Sequence, residues 1–154
     1  MRRAICLLSL ASFLLLVPSA DAMIQLDRGI AGVRIDNTKA QVRAALGKPR
    51  SKIDRPGKFG PTTTFRYNGG IRVIFVNGRV TLVTTTGLGD RTRRGVGVGS
   101  REQAVEDKVP GVECDTITGI RFCQRGEQAA GERITVFFIE DGRVNRVDVG
   151  VVLD

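Results

Sequence analysis

The sequence predicts an α+β fold: two duplicated units, each a short helix followed by a three-stranded antiparallel meander, with both helices packed on one face of the sheet. Three observations carry the prediction. The stretch "GVRIDNTKAQVRAALG" from Gly32 returns as "GVGVGSREQAVEDKVPG" from Gly95, pairing Ile35 with Val98, Val42 with Val105 and Leu46 with Val109. Further along, Asn77-Gly78-Arg79-Val80 falls over Asp141-Gly142-Arg143-Val144, in the same order after the first match. Each repeated segment is then followed by runs rich in Val, Ile, Phe and Thr, the residue types that favour strands.

The helices come first. Thr38 with Gln41, and Ser100 with Gln103, have the spacing of a capping box, in which a hydroxyl and an amide satisfy opposite backbone N–H groups. Val42 and Leu46, like Val105 and Val109, are four apart and share a helical face. Gly47-Lys48-Pro49 and Pro110-Gly111 end these segments, and helices this short need a surface to pack on. That surface is the runs "TTTFRY", "IRVIFV" and "RVTLVTT" in the first unit, and "GIRFC", "RITVFFI" and "RVNRVDVGVV" in the second. Asn77-Gly78 and Asp141-Gly142 predict two-residue hairpin turns, which need positive φ at both central positions. Between Gly47 and Pro61 the Pro/Gly-punctuated "GKPRSKIDRPGKFGP" reads as a long basic loop.

The ends set the compartment. "MRR", the apolar run Leu7 to Val17, and "SADA" after Pro18 have the order of a secretory signal peptide cleaved after Ala22. An apolar run of about a dozen residues falls short of the roughly 20 that span a bilayer. The division that follows is a signal peptide over 1–22, a first unit over 23–88, a basic linker over 89–94 and a second unit over 95–154. A secreted, periplasmic or envelope protein is expected, soluble and without a membrane span once the signal is removed. Cys6 leaves with the signal, and Cys114 and Cys123 remain as a pair in an oxidising compartment, where a structural disulfide is expected. A metal site or a reactive thiol would ask for further ligands or a basic partner, and the chain has no histidine.

Charge is the remaining signal. The formal +8 becomes +7 when Arg2, Arg3 and Asp21 are removed, enough to attract polyanions without saying anything about fold. The candidate binding surface comprises Lys48, Arg50, Lys52, Arg55 and Lys58 in the basic segment, Arg66, Tyr67 and Arg72 on or beside the strands, and Arg91, Arg93 and Arg94 in the connector "TGLGDRTRRG". Without histidine, a nucleophile–His pair is excluded, and Asp36, Glu102 and Glu140 sit where a helix start or a strand end explains them. No catalytic residue, metal or cofactor is therefore expected. "GVGVGS" invites an anion-loop reading, yet its first copy "GVRIDN" lacks the matching glycines. Nucleic acid is not an expected partner, since no spaced aromatic platform accompanies the arginines.

The segment from Gly32 to Pro49, followed by an antiparallel meander, resembles the small secreted fold of the β-lactamase inhibitory proteins, which carry two such units in tandem. It is similar also to the small lipoprotein of the outer-membrane β-barrel assembly machine, which carries one. The resemblance implies a binding scaffold rather than an enzyme. The function expected is an exported, non-catalytic adaptor that binds another extracytoplasmic protein. A charge-driven binder of anionic envelope polymer and a secreted enzyme inhibitor are the alternatives.

Overall fold

The structure, a computed structural model, describes residues 23–153, so the expected signal peptide over 1–22 lies outside the described residues. The two units of helix plus three strands are not what the chain forms. The described residues are mostly β, with two α-helices, and their strands merge into two sheets that draw on both halves.

In chain order the elements are β1 (Met23–Gln25), β2 (Gly29–Ile30), β3 (Val33–Arg34), α1 (Lys39–Leu46), β4 (Ser51–Arg55), β5 (Thr62–Arg66), β6 (Arg72–Val76) and β7 (Arg79–Thr85). There follow β8 (Arg91–Thr92), α2 (Glu102–Lys108), β9 (Val112–Ile117), β10 (Ile120–Arg125), β11 (Arg133–Glu140) and β12 (Arg143–Val151). The large sheet runs β4-β5-β6-β7-β12-β11-β10-β9, antiparallel throughout, and the small one runs β3-β2-β1-β8.

Two strands missing from the expected meanders are β4 and β9, and both are edges of the large sheet. The supposed loop from Gly47 to Pro61 contains β4, "SKIDR", paired with β5 from Ser51↔Arg66 to Arg55↔Thr62. An edge strand meets solvent and protects itself with charge, so neither it nor "VECDTI" in β9 shows the apolar alternation that marks a half-buried strand. The connector is likewise ordered: its β8 pairs in parallel with β1, and Asp90 and Thr92 are buried.

One face of the large sheet is covered. The small sheet packs on β7 and β12 at its centre, and α2 packs on β9 and β10. On the same face, toward β5 and β6, α1 buries Val42, while Arg43 lies 5.1 Å from the centroid of the Phe65 ring. The core between the layers holds Phe65, Val73, Phe75, Val83, Phe137 and Val147, all fully buried. Each helix is led in by a two-bond tie to a hairpin. Asp36 N donates to Val80 O at 2.9 Å and Val80 N to Asn37 O at 2.9 Å; Gly99 N donates to Val144 O at 2.7 Å and Val144 N to Ser100 O at 2.8 Å.

Local details follow the sequence closely in places. Thr38 and Gln41 make both capping-box bonds, whereas the Ser100 hydroxyl accepts from Gly97 N and caps nothing. The Asn77-Gly78 and Asp141-Gly142 turns have positive φ at all four residues. Gly97 is required by packing: a Cβ there would sit 1.9 Å from the Asp90 carbonyl oxygen. Of the glycines in "GVGVGS", Gly97 thus answers to backbone approach, and Gly95 and Gly99 to positive φ.

Cys114 and Cys123 face each other across β9 and β10 and are disulfide-bonded, as expected. Closing so short a loop contributes about 2 to 3 kcal/mol in the chain-entropy view. Replacing both cysteines with alanine should lower the urea-unfolding free energy by that amount. Phe137→Ala should cost about 3 to 5 kcal/mol because it empties the centre of the core. A loss under about 1 kcal/mol for the latter in the same assay would mean that Phe137 is not where the layers meet.

Candidate functional site

The second face of the large sheet is not covered by any described element, and it is apolar. Ile74 and Val76 on β6, Leu82 on β7, Ile134, Val136 and Phe138 on β11, and Phe122 on β10 line a groove of about 700 Å³ running across the middle of the sheet. Two bulges curve it. Register shifts at Ile74/Phe75 and Phe138/Ile139 leave Thr81 and Asn145 without a partner in the ladder, and a bulge bends its strand and raises the twist. They also explain how Val80 and Val83, and Val144 and Val147, point inward although three apart. Ile117 and Ile120, each about half exposed at the β9–β10 turn, stand at the groove's rim.

A polar cluster breaks this apolar surface. Register places Arg66, Arg72, Thr84, Asp148 and Val136 in one row across five strands. The Arg146 guanidinium stacks on the Phe138 ring at 3.7 Å, and its Nε lies 3.3 Å from Asp148 Oδ1. That is close enough for charge pairing but misaligned for a hydrogen bond. Arg72 Nε, Arg146 Nε and Asp148 Oδ1 are therefore buried without a hydrogen-bond partner among the described residues. Arg72 reaches only Thr84 Oγ1, at 3.5 Å. Buried polar atoms are nearly always paired, so these three together make the cluster the least well satisfied polar spot among the described residues.

Burial pushes the Asp148 carboxyl above the usual carboxylate range, with Arg146, the Thr84 hydroxyl and Arg72 pulling the other way. Asp90, also buried, is raised for the same reason and accepts from the Thr85 hydroxyl.

The residues singled out from sequence fall in four separate places. Lys48, Arg50 and Tyr67 share a hollow beside α1, where burial raises the Tyr67 phenol. At the β4 edge Lys52 pairs with Asp54 at 2.7 Å, Arg55 is exposed, and Lys58 covers the Phe59 ring at 4.8 Å. Arg66 and Arg72 are opposite one another on the open sheet face. Arg91 is structural, donating to Val98 O at 2.6 Å, while Arg93 and Arg94 line a cleft beside the small sheet. They do not form one surface.

Sequence reading missed the groove, though a signal was present. "RVIFV" and "ITVFFI" are apolar at successive positions, whereas a sheet with one wet face alternates. Glu102 approaches the two cysteine sulfurs within 4.8 Å. Those sulfurs are bonded to each other and Glu102 accepts from Arg121 Nε at 2.8 Å, which leaves no free ligand set for a metal.

Fold and site together define a two-layer β-rich protein with one covered and one open sheet face. No protein-family model matches the chain, and no curated protein matches it. Solved structures do share the fold. An extracellular protein containing an SCP domain from Bacillus anthracis aligns with a TM-score of 0.53 and 11% identity, over 76% of this chain and 44% of its own. The chain therefore spans less than half of that protein. The uncharacterized protein yfeY from Escherichia coli aligns at 0.55 and 12%, over 84% of this chain and 99% of its own. A DUF4309 family protein, YjgB, from Bacillus subtilis aligns at 0.50 and 18%, over 79% and 84%. At such identities the likeness is of fold alone, and none of the three is a β-lactamase inhibitory protein.

The raised Asp148 sets a pH test. A carboxyl whose folded pKa exceeds its unfolded value, about 3.9, favours the folded state while protonated and loses that contribution as pH rises through the folded pKa. Thermal midpoints of the wild type should fall relative to those of Asp148→Asn as pH climbs from about 4 towards neutrality. Parallel profiles would show that Asp148 ionises as freely in the folded protein as in the unfolded chain.

Proposed function

We propose that the protein is an exported, non-catalytic binding module of the cell envelope or medium that docks a partner protein on the open face of its large sheet. The observation that carries this reading is the open apolar groove beside the charged side chains of Arg72, Arg146 and Asp148. A concave, mostly apolar groove left open on a folded protein is the usual form of a binding site. The groove suits a partner's apolar side chains, and the half-buried charged side chains of Arg72, Arg146 and Asp148 beside it suit polar groups at the margin of the contact. Export is supported by the disulfide and by the likeness to an extracellular protein. The signal-like first 22 residues point the same way.

The test is retention on immobilised protein. Envelope extract is passed over wild type, over Leu82→Asp/Phe122→Asp, and over the distant control Lys58→Gln, each first shown to be folded by circular dichroism. A single protein held through about 1 M salt by wild type and control, and bound at least about tenfold more weakly by the groove variant, is expected from the loss of two apolar anchors. Equal retention by all three, or none by any, would remove the groove from the function.

A further inference from the structure

The second concave feature of the molecule is basic. A cleft of 1120 Å³ lies between the small sheet, the end of α2 and the β10–β11 loop, and seven Lys or Arg side chains line it against three carboxylates. Two of the seven are neutralised. Arg125 Nε pairs with Asp27 at 2.6 Å, and Arg133 pairs with Asp36 at 2.7 Å. The remaining five, Arg28, Arg34, Arg93, Arg94 and Lys108, form no salt bridge among the described residues.

Their arrangement is set by the fold. Gly29 is paired with Arg34 on one side and Gln25 on the other, and Arg93 directly follows Thr92, the partner of Ile24. Arg34 and Arg93 therefore stand at the same end of the small sheet, three strand spacings apart, or about 14 Å at the usual separation of neighbouring strands. Arg28 sits in the turn between them, after Gln25, whose carbonyl accepts from Arg28 N at 3.1 Å. Arg94 is tied from the other wall, donating to Lys108 O at 3.3 Å. Like charges held in one concavity repel one another, and the concavity concentrates their field on whatever enters. The row of backbone positions from Arg34 to Arg93 is about 14 Å long, so a chain of phosphates can engage more of these side chains at once than a lone phosphate can.

We infer that this cleft binds a linear chain of phosphate groups, which spans the row from Arg34 through Arg28 to Arg93 and Arg94. This site is separate from the sheet groove and uses none of its residues. The arginines contribute forked donors that match phosphate oxygens, and binding releases the counterions of the chain.

The experiment titrates the purified protein with short inorganic polyphosphate, with orthophosphate, and with vesicles of anionic phospholipid, at about 0.05 M and about 0.2 M salt. Polyphosphate should bind and weaken steeply with salt, while orthophosphate at the same total phosphate should not bind measurably. Arg93→Gln/Arg94→Gln and Arg28→Gln/Arg34→Gln should each weaken binding about tenfold or more and flatten the logarithmic salt slope by about 1 to 2. Lys48→Gln/Arg50→Gln, on a different surface, should change it less than about threefold. All these side chains are exposed, and matched thermal midpoints show that folding is unaffected. Equal losses in the control and cleft variants would reduce the effect to net charge and overturn the assignment. So would orthophosphate binding as tightly, binding to vesicles alone, or no binding at the lower salt.

Discussion

The pairing of β7 with β12 is the constraint on which the rest of the structure depends, because it joins two four-stranded meanders into one sheet through Leu82↔Gly150, Val83↔Val149, Thr84↔Asp148 and Thr85↔Val147. The inward side chains of that seam, Val83, Val147 and Val149, are fully buried beneath the small sheet. The outward ones form the groove floor. Gly150 has no side chain there, and a Cβ would meet Leu82 Cδ1 at 3.0 Å and the Thr81 carbonyl at 3.1 Å, so Leu82 can lie across the seam. The buried Thr84–Asp148 row belongs to the same four pairs, which places the polar cluster where the halves join.

The two candidate sites divide the molecule by chemistry. The open sheet face is apolar with a few misaligned charges, and the cleft beside the small sheet is strongly basic. The division has a topological cause. β1, β2, β3 and β8 are two or three residues long, so they bury one side chain each, Ile24, Ile30, Val33 and Thr92, and their turns carry arginine outward. The large sheet has strands of five to nine residues, long enough to present two full faces.

Charge pairing also separates structural arginines from free ones. Arg121, Arg125 and Arg133 hold Glu102, Asp27 and Asp36, the last two joining residues far apart in sequence and so fastening the first strands to the second half. Arg91 serves the backbone of Val98. Composition alone gives all of these the same weight as Arg28 or Arg93, since a net charge records how many cations there are and not which are matched.

Elements governed by neighbours in the chain were legible in the sequence: the Thr38 capping box, the Asn77-Gly78 and Asp141-Gly142 turns, and the disulfide-bonded pair left after Cys6 is set aside. Short-range backbone rules and compartment decide such features, and they need no partner from elsewhere. The strands β4 and β9 were not legible, since edges carry charge in place of alternation, and neither were the two-residue strands of the small sheet, too short for any period to register. The basic cleft belongs wholly to tertiary structure, and the groove left only a partial mark in the sequence, the unbroken apolar runs of β6 and β11. Leu82 and Phe122 line one groove, and Arg34 shares a cleft with Arg93, only because long-range pairing brings their strands into one sheet, and pairing between distant strands depends on which faces can be buried at once.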